Sequence, residues 1–116
     1  MSNYKDERSL AEITQEYFNN FSNKDIDKLS AMFDKDIYLH DWNQNVSGLK
    51  NVLDANIKIF ESFEEIGIVI RNIIEKDNIT MSEINVVTEK FRNPVVDVLT
   101  FSDSKKITCI RAYRGT

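Results

Sequence analysis

Apolar residues in the amino-terminal half of the chain recur at helical spacing. Leu10, Ile13, Tyr17, Phe18 and Phe21 fall mostly three or four positions apart, which predicts a helix over roughly residues 6–20 with an aromatic end to its buried stripe. Asn23 is placed to cap a short second helix. Asp25 and Asp27 sit in its first turn, at the positive helix end, and Ile26, Leu29 and Phe33 continue an apolar face. Asp34, Lys35 and Asp36 mark a break before IYLHDW (37–42), whose alternation reads as a half-buried strand. The next segment, WNQNVSG, is rich in loop formers. It leads through Ser47 and Gly48 into a third amphipathic helix carrying Leu49, Val52, Leu53, Ile57, Phe60 and Phe63.

Beyond that helix the texture changes. IGIVIRNIIEK, NITMSEINVVTEK, VVDVLTFSD and KKITCIRAYRG are rich in β-branched residues and are separated by the turn clusters KDN, FRNP and SDSK. They read as four antiparallel strands joined in sequence. Three helices interleaved with one short strand, followed by four strands, predict an α+β domain with helices on one face of a bent sheet. That layering leaves a cone whose mouth can hold a ligand.

Composition narrows the picture. A chain of 116 residues fits one domain, residues 1–116, and 41% hydrophobic with 29% charged residues is ordinary globular usage. Fifteen Lys and Arg against nineteen Asp and Glu give a formal charge of −4, and the cations are scattered, so nucleic acid is not an expected partner. The amino terminus, MSNYKDERS, is polar, and the longest apolar runs are too short to span a bilayer, so no membrane partner is expected either. The single cysteine, Cys109, reads as a small core residue, and no Cys and His cluster has metal-ligand spacing. The expectation is a cytoplasmic protein with no metal and no cofactor.

Two acids stand out. Alternation along IYLHDW sends Ile37, Leu39 and Asp41 to one side and Tyr38, His40 and Trp42 to the other, which brings Asp41 to the pocket if the first set faces inward. Asp97 lies inside VVDVLTF with Val95, Leu99 and Phe101 on its own strand face. A carboxyl group there must find partners or keep its proton. Each acid has a plain alternative, a turn cap for Asp41 and an edge facing solvent for Asp97, and Tyr17 alone would be core packing.

The order of elements, together with NKDIDKLSAMF, DIYLHDW and the closing DVLTFSDSKKITCIRAYRG, resembles the NTF2-like superfamily, particularly its SnoaL-like and ketosteroid isomerase-like members. The resemblance covers nearly the whole chain and implies a cone of three amino-terminal helices on a curved, mostly antiparallel sheet. Residue by residue, Tyr17 in QEYFNNFSNKD matches the oxyanion-hole tyrosine of the isomerases, Asp41 the catalytic base, and Asp97 the second, protonated acid. It implies an isomerase or cyclase in which Asp41 takes a proton next to a carbonyl while Tyr17 and Asp97 donate to the enolate oxygen. Arg114 stands where the steroid enzymes have an apolar pocket residue, which favours a polar or anionic small molecule.

Glu83, grouped by parity with Met81, Asn85 and Val87, is a further candidate ligand contact, with a solvent-facing strand acid as its alternative. Trp42 either closes over the pocket or packs under the third helix. Phe21 and Phe60 are candidate contacts whose alternative is the core. Two other functions compete with the isomerase reading. One is a noncatalytic ligand-binding or dimerisation module, and the other is a hydrolase or dehydratase with Arg114 or Arg111 orienting a carboxylate. Ile and Val on the open sheet face, drawn by parity from Ile68, Ile70, Val86 and Ile110, predict a homodimer through the sheet.

Overall fold

The structure is a computed structural model that describes residues 6–116, so the first five residues of the MSNYKDERS stretch lie outside it. The elements run α1 (Leu10–Ser22), α2 (Ile26–Met32), β1 (Phe33–His40), β2 (Asn45–Ser47), α3 (Leu49–Ser62), β3 (Ile66–Lys76), β4 (Ile79–Thr88), β5 (Arg92–Phe101) and β6 (Ile107–Arg114). Helix α1 starts later than its apolar stripe alone predicts because Ser9 caps it. The Ser9 hydroxyl accepts from the Glu12 amide at 3.0 Å, and the Glu12 carboxylate accepts from the Ser9 amide at 3.0 Å. Asn23 closes α1, its amide donating to the Asn19 carbonyl at 3.0 Å. The cap of α2 is therefore Asp25 and not Asn23, with the Asp25 carboxylate accepting from the Lys28 amide at 3.1 Å.

Two other boundaries differ from the sequence reading. Asp34, Lys35 and Asp36 do not break the chain before the first strand; they lie inside β1. The register along β6 shifts between Phe33, opposite Ile107, and Tyr38, opposite Cys109, so the charged triplet occupies an irregular stretch of strand. The segment read as a loop holds β2, which pairs antiparallel with β1 from Tyr38 opposite Ser47 to His40 opposite Asn45. Gly48 then turns the chain into α3 at φ 89°, a conformation that glycine adopts without a steric penalty.

The sheet is open, six-stranded and mixed, in the order β2-β1-β6-β5-β4-β3. Its one parallel pair is β1 with β6; the four carboxy-terminal strands pair antiparallel in sequence. Helix α1 packs over β3 and β4, and α3 packs over β1 and β2. A buried contact of 2.8 Å between the Thr14 and Thr80 hydroxyls fastens α1 to β4. Leu29, Ile37, Val52, Leu99 and Ile107 are fully buried between the layers, each burial contributing about 2 kcal/mol.

The other face of the sheet is open. Val69, Ile74, Met81, Val96 and Tyr113 are exposed on it, Ile74 at 58% and Tyr113 at 52%. Cys109 is half-buried on this face, beside Tyr38 and Thr100, and does not belong to the core. Strand parity turns Ile68, Val86 and Ile110 the other way, toward the helices, so these three do not belong to the open face. No helix among the described residues is long and apolar enough to cross a membrane.

Candidate active site

A cavity of about 490 Å³ opens between the helices and the inner face of the sheet. Helix α1 contributes Tyr17, Phe18 and Phe21, α3 contributes Asn56 and Ile59 at i and i+3 of one helical face, and Phe63 follows in extended backbone just past the helix end. The floor is largely aliphatic, with Leu39, Ile84, Val95, Ile110 and Ala112 around Asp97. Trp42, Phe91 and Arg114, all exposed, mark the mouth.

Asp97 points into this cavity because β5 alternates. Val95, Asp97 and Leu99 face the helices, while Val96 and Val98 face outward. Its neighbours in register are Ser82 on β4 and Ala112 on β6, neither of them a cation. The residue is 8% exposed, and no hydrogen bond from the described residues reaches its carboxyl group. Burial, and secondarily the charge of Asp41, pushes its pKa up from the ordinary 3.8 to about 7.

Tyr17 is set one turn beyond Thr14, the residue that holds α1 to β4. Its ring lies among Phe18, Phe21 and Phe33, with centroids 5.4 to 6.1 Å away. Burial holds the phenol well above its usual pKa, with Asp97 and then Asp41 adding to the shift, so the hydroxyl keeps its proton. No hydrogen bond from the described residues engages it.

Asp41 is held very differently. It follows the last residue of β1, and its Oδ1 accepts from the amides of Asn43 at 2.7 Å and Gln44 at 3.0 Å. Oδ2 accepts from the Gln44 side-chain amide at 3.2 Å, and the Asp41 amide donates to the Gln44 carbonyl at 3.0 Å. The carboxylate thus organises the β1–β2 turn while lining the cavity.

The remaining sequence candidates divide. The Arg114 guanidinium lies over the Trp42 ring, 5.3 Å from its centroid, so Trp42 stands at the mouth and does not pack under α3. Phe21 lines the cavity; Phe60 does not. Phe60 is core, edge-on to Phe21 at a centroid distance of 4.9 Å. Glu83 is exposed and faces away from the cavity, because the inward positions of β4 are Thr80, Ser82, Ile84 and Val86, opposite in parity to Met81 and Glu83. Arg111 also lies on the outer face, in register with His40 and Val98, out of reach of a carboxylate in the cavity. Among the described residues no group of three or more His, Cys, Asp or Glu side chains is arranged to hold a metal ion.

Sequence reasoning missed Asn56. It is 3% exposed, and its Nδ2 has no hydrogen-bond partner among the described residues. The available signal was a lone amide in the apolar stripe Val52, Ala55, Ile59, Phe63.

The chain that builds this cavity matches a known family. The SnoaL-like domain model matches residues 14–110, and the chain belongs to that family. A search of the curated proteins finds no match. Among solved structures, an NTF2-like protein of unknown function from Cytophaga hutchinsonii is similar over 97% of this chain and 95% of its own, at 9% identity and a TM-score of 0.81. A proposed SnoaL-like polyketide cyclase from Jannaschia sp. CCS1 is similar over 94% and 90%, at 16% identity and a TM-score of 0.82. A proposed ketosteroid isomerase from Kribbella flavida is similar over 92% and 78%, at 11% identity and a TM-score of 0.80. At such identities these likenesses establish the NTF2-like fold and leave the activity to the site.

Proposed function

We propose that this protein is a small acid and base enzyme that takes a proton from a carbon next to a carbonyl group, as an isomerase or cyclase. One observation carries the reading: the Asp97 carboxyl and the Tyr17 hydroxyl line one largely apolar cavity, neither engaged by a hydrogen bond from the described residues, with Asp97 keeping its proton up to about pH 7 and Tyr17 well beyond it. Two such donors in a largely apolar pocket suit an oxygen that gains negative charge during reaction. Asp41 is the base, with its Oδ2 the less committed oxygen, since it carries only the 3.2 Å contact from Gln44. The proton moves from carbon to Asp41 and returns at another position, or the enolate carbon attacks a second carbonyl to close a ring, the carbonyl oxygen becoming an alkoxide that takes the proton back from Asp41. Arg114 over Trp42 gives the mouth a positive rim, which favours a polar or anionic substituent on the substrate.

A noncatalytic binding module is the second reading, and Asp41 is the observation in its favour. A carboxylate that already accepts three hydrogen bonds has a sufficient structural role in its turn. The two readings part on deuterium exchange into a panel of cyclic ketones. Enzyme-catalysed exchange that disappears in Asp41→Asn supports catalysis, whereas tight binding of the same ketones with no exchange supports the module.

The same proposal includes a homodimer in the cytoplasm, formed through the open sheet face. Val69, Met81, Val96 and Tyr113 would be covered there, and Val96→Glu should convert a dimer into a monomer by light scattering. A wild-type protein that is monomeric at micromolar concentration contradicts it.

A further inference from the structure

Opposite Asp97 across the β4–β5 ladder lies a second buried polar group without a partner. Ser82 is fully buried, and its Oγ has no hydrogen-bond partner among the described residues. It pairs in register with Asp97, and both side chains leave the sheet on the helix side. Residues directly opposite on antiparallel strands hold their Cβ atoms about 5 Å apart. A serine hydroxyl and an aspartate carboxyl bridge that span by rotation about their side-chain torsions.

The surroundings leave the Ser82 hydroxyl one acceptor. Its inward neighbours on β4 are Thr80 and Ile84, and its partner in register on β3 is Ile73. The diagonal neighbours on β5 are Val95 and Leu99. Thr80 is already committed. The Thr14 hydroxyl donates to the Leu10 carbonyl at 2.8 Å, so Thr80 is the donor in the 2.8 Å contact between the two threonines. Its oxygen also lies two residues along the strand from Ser82, about 7 Å away and beyond direct reach. Asp97 accepts no hydrogen bond from the described residues. A buried hydroxyl and a buried carboxyl that each stay unpaired cost more than the one bond between them, because desolvation is not repaid.

A protonated carboxyl group has one O–H and a second oxygen that only accepts. An O–H turned toward Ser82 is lost to the cavity, whereas an acceptor oxygen turned toward Ser82 leaves the proton for a ligand. We infer that Ser82 is a positioning residue: its hydroxyl donates to one oxygen of the Asp97 carboxyl and so keeps the proton on the other, the one that faces the cavity. The inference rests on reading Asp97 as a proton-bearing donor of the oxyanion site. Ser82 touches no ligand and acts through Asp97 alone. As Asp97 shares its proton with a developing enolate, its carboxyl gains negative charge, and the bond from Ser82 strengthens.

A hydroxyl donor favours the carboxylate over the neutral acid, so its removal raises the Asp97 midpoint. The titratable groups that share the cavity with Asp97 are Tyr17 from α1, Asp41 from the end of β1 and Arg114 from the end of β6; α3, β3 and β4 line it with none. All three are retained when Ser82 is replaced.

The test follows the Asp97 carboxyl carbon by NMR titration in wild type, Ser82→Ala and Ser82→Thr. Ser82→Ala should titrate about one pH unit above wild type, the difference made by one hydrogen bond to the charged form. Ser82→Thr keeps the hydroxyl and should hold the wild-type midpoint. A serine that only fills space would change the melting temperature of Ser82→Ala without moving the midpoint. An unmoved midpoint in Ser82→Ala, or a threonine midpoint that rises as far as that of alanine, therefore overturns the role of Ser82 and leaves the Tyr17 and Asp97 donors standing. Should Ser82→Ala not fold, Ser82→Cys puts a much weaker donor in nearly the same volume, and its midpoint should rise as well; an unmoved one overturns the role. A wild-type midpoint near the ordinary 3.8 overturns the proton-bearing reading of Asp97 and the role of Ser82 with it.

Discussion

Asp41 and Asp97 face one cavity from two kinds of structure. Asp97 is part of a strand in mid-sheet, where the flanking Val95 and Leu99 and the opposing Ala112 offer it no donor, and burial lifts its pKa to about 7. Asp41 lies in a turn where two backbone amides and one side-chain amide converge on its oxygens. The difference comes from local backbone geometry more than from distance to solvent. A regular strand spends its amides on neighbouring strands, and a tight turn has amides left to give to a side chain. Two chemically identical groups thus acquire different tasks, one retaining a proton in an apolar wall and the other accepting the hydrogen bonds that shape its turn.

The comparison is broken most sharply by removing the titrating group from the apolar wall. With a native pKa raised above its unfolded value, Asp97 makes the folded state hold its proton where the unfolded chain has released it. Stability therefore falls as pH rises from about 4 to about 7, and the interval from 3.8 to about 7 corresponds to about 4 kcal/mol. Asp97→Asn should abolish this fall. Urea unfolding should show the variant more stable than wild type by up to about 4 kcal/mol at pH 8 and nearly equal to it at pH 4.

The next largest effect separates chemistry from folding on the same wall. Tyr17→Phe removes a hydroxyl that none of the described residues engages, so the fold should be as stable as before, or more so by up to about 1 kcal/mol. Exchange or turnover on a responsive ketone should nevertheless fall by about 10²- to 10³-fold, as for loss of an oxyanion donor. Wild-type activity should also decline as pH rises above about 7, where Asp97 loses the proton it donates, and the decline should be absent in Asp97→Asn.

Asp41 gives the contrasting result. Asp41→Ala should destabilise the protein by about 2 kcal/mol, because the turn amides lose their acceptor. Asp41→Asn keeps a carbonyl oxygen for them and should lose much less stability by the same unfolding measurement, yet lose the exchange activity. At the mouth the effect is smallest. Arg114→Ala should cost about 0.5 kcal/mol in stability, since both partners of the Trp42 contact are exposed, and should weaken binding of anionic ketones more than neutral ones.

Much of this architecture was legible in the chain, and the places where it was not have physical causes. The stripe from Leu10 to Phe21 and the β-branched runs after residue 65 signal their elements because each has one buried face. Strand β4 misleads because both its faces carry apolar residues: Met81 and Val87 on the open side, Ile84 and Val86 on the cavity side. With no polar face to set parity, Glu83 could be assigned to either side, and only the pairing of Ser82 with Asp97 decides it. Strand β2 has three residues and no apolar alternation, so its Asn and Ser read as a loop. Asn56 escaped notice because a single amide inside an apolar helical stripe resembles a surface residue until the cavity beside it is visible.

The most direct test of the account is a titration of the aspartate side-chain carboxyl carbons by NMR in wild type and in Asp97→Asn. The account predicts one resonance with a midpoint near pH 7 that is missing from the variant. If instead the Asp97 carboxyl titrates near the ordinary 3.8, it is ionised at neutral pH and the paired donor with Tyr17 does not exist.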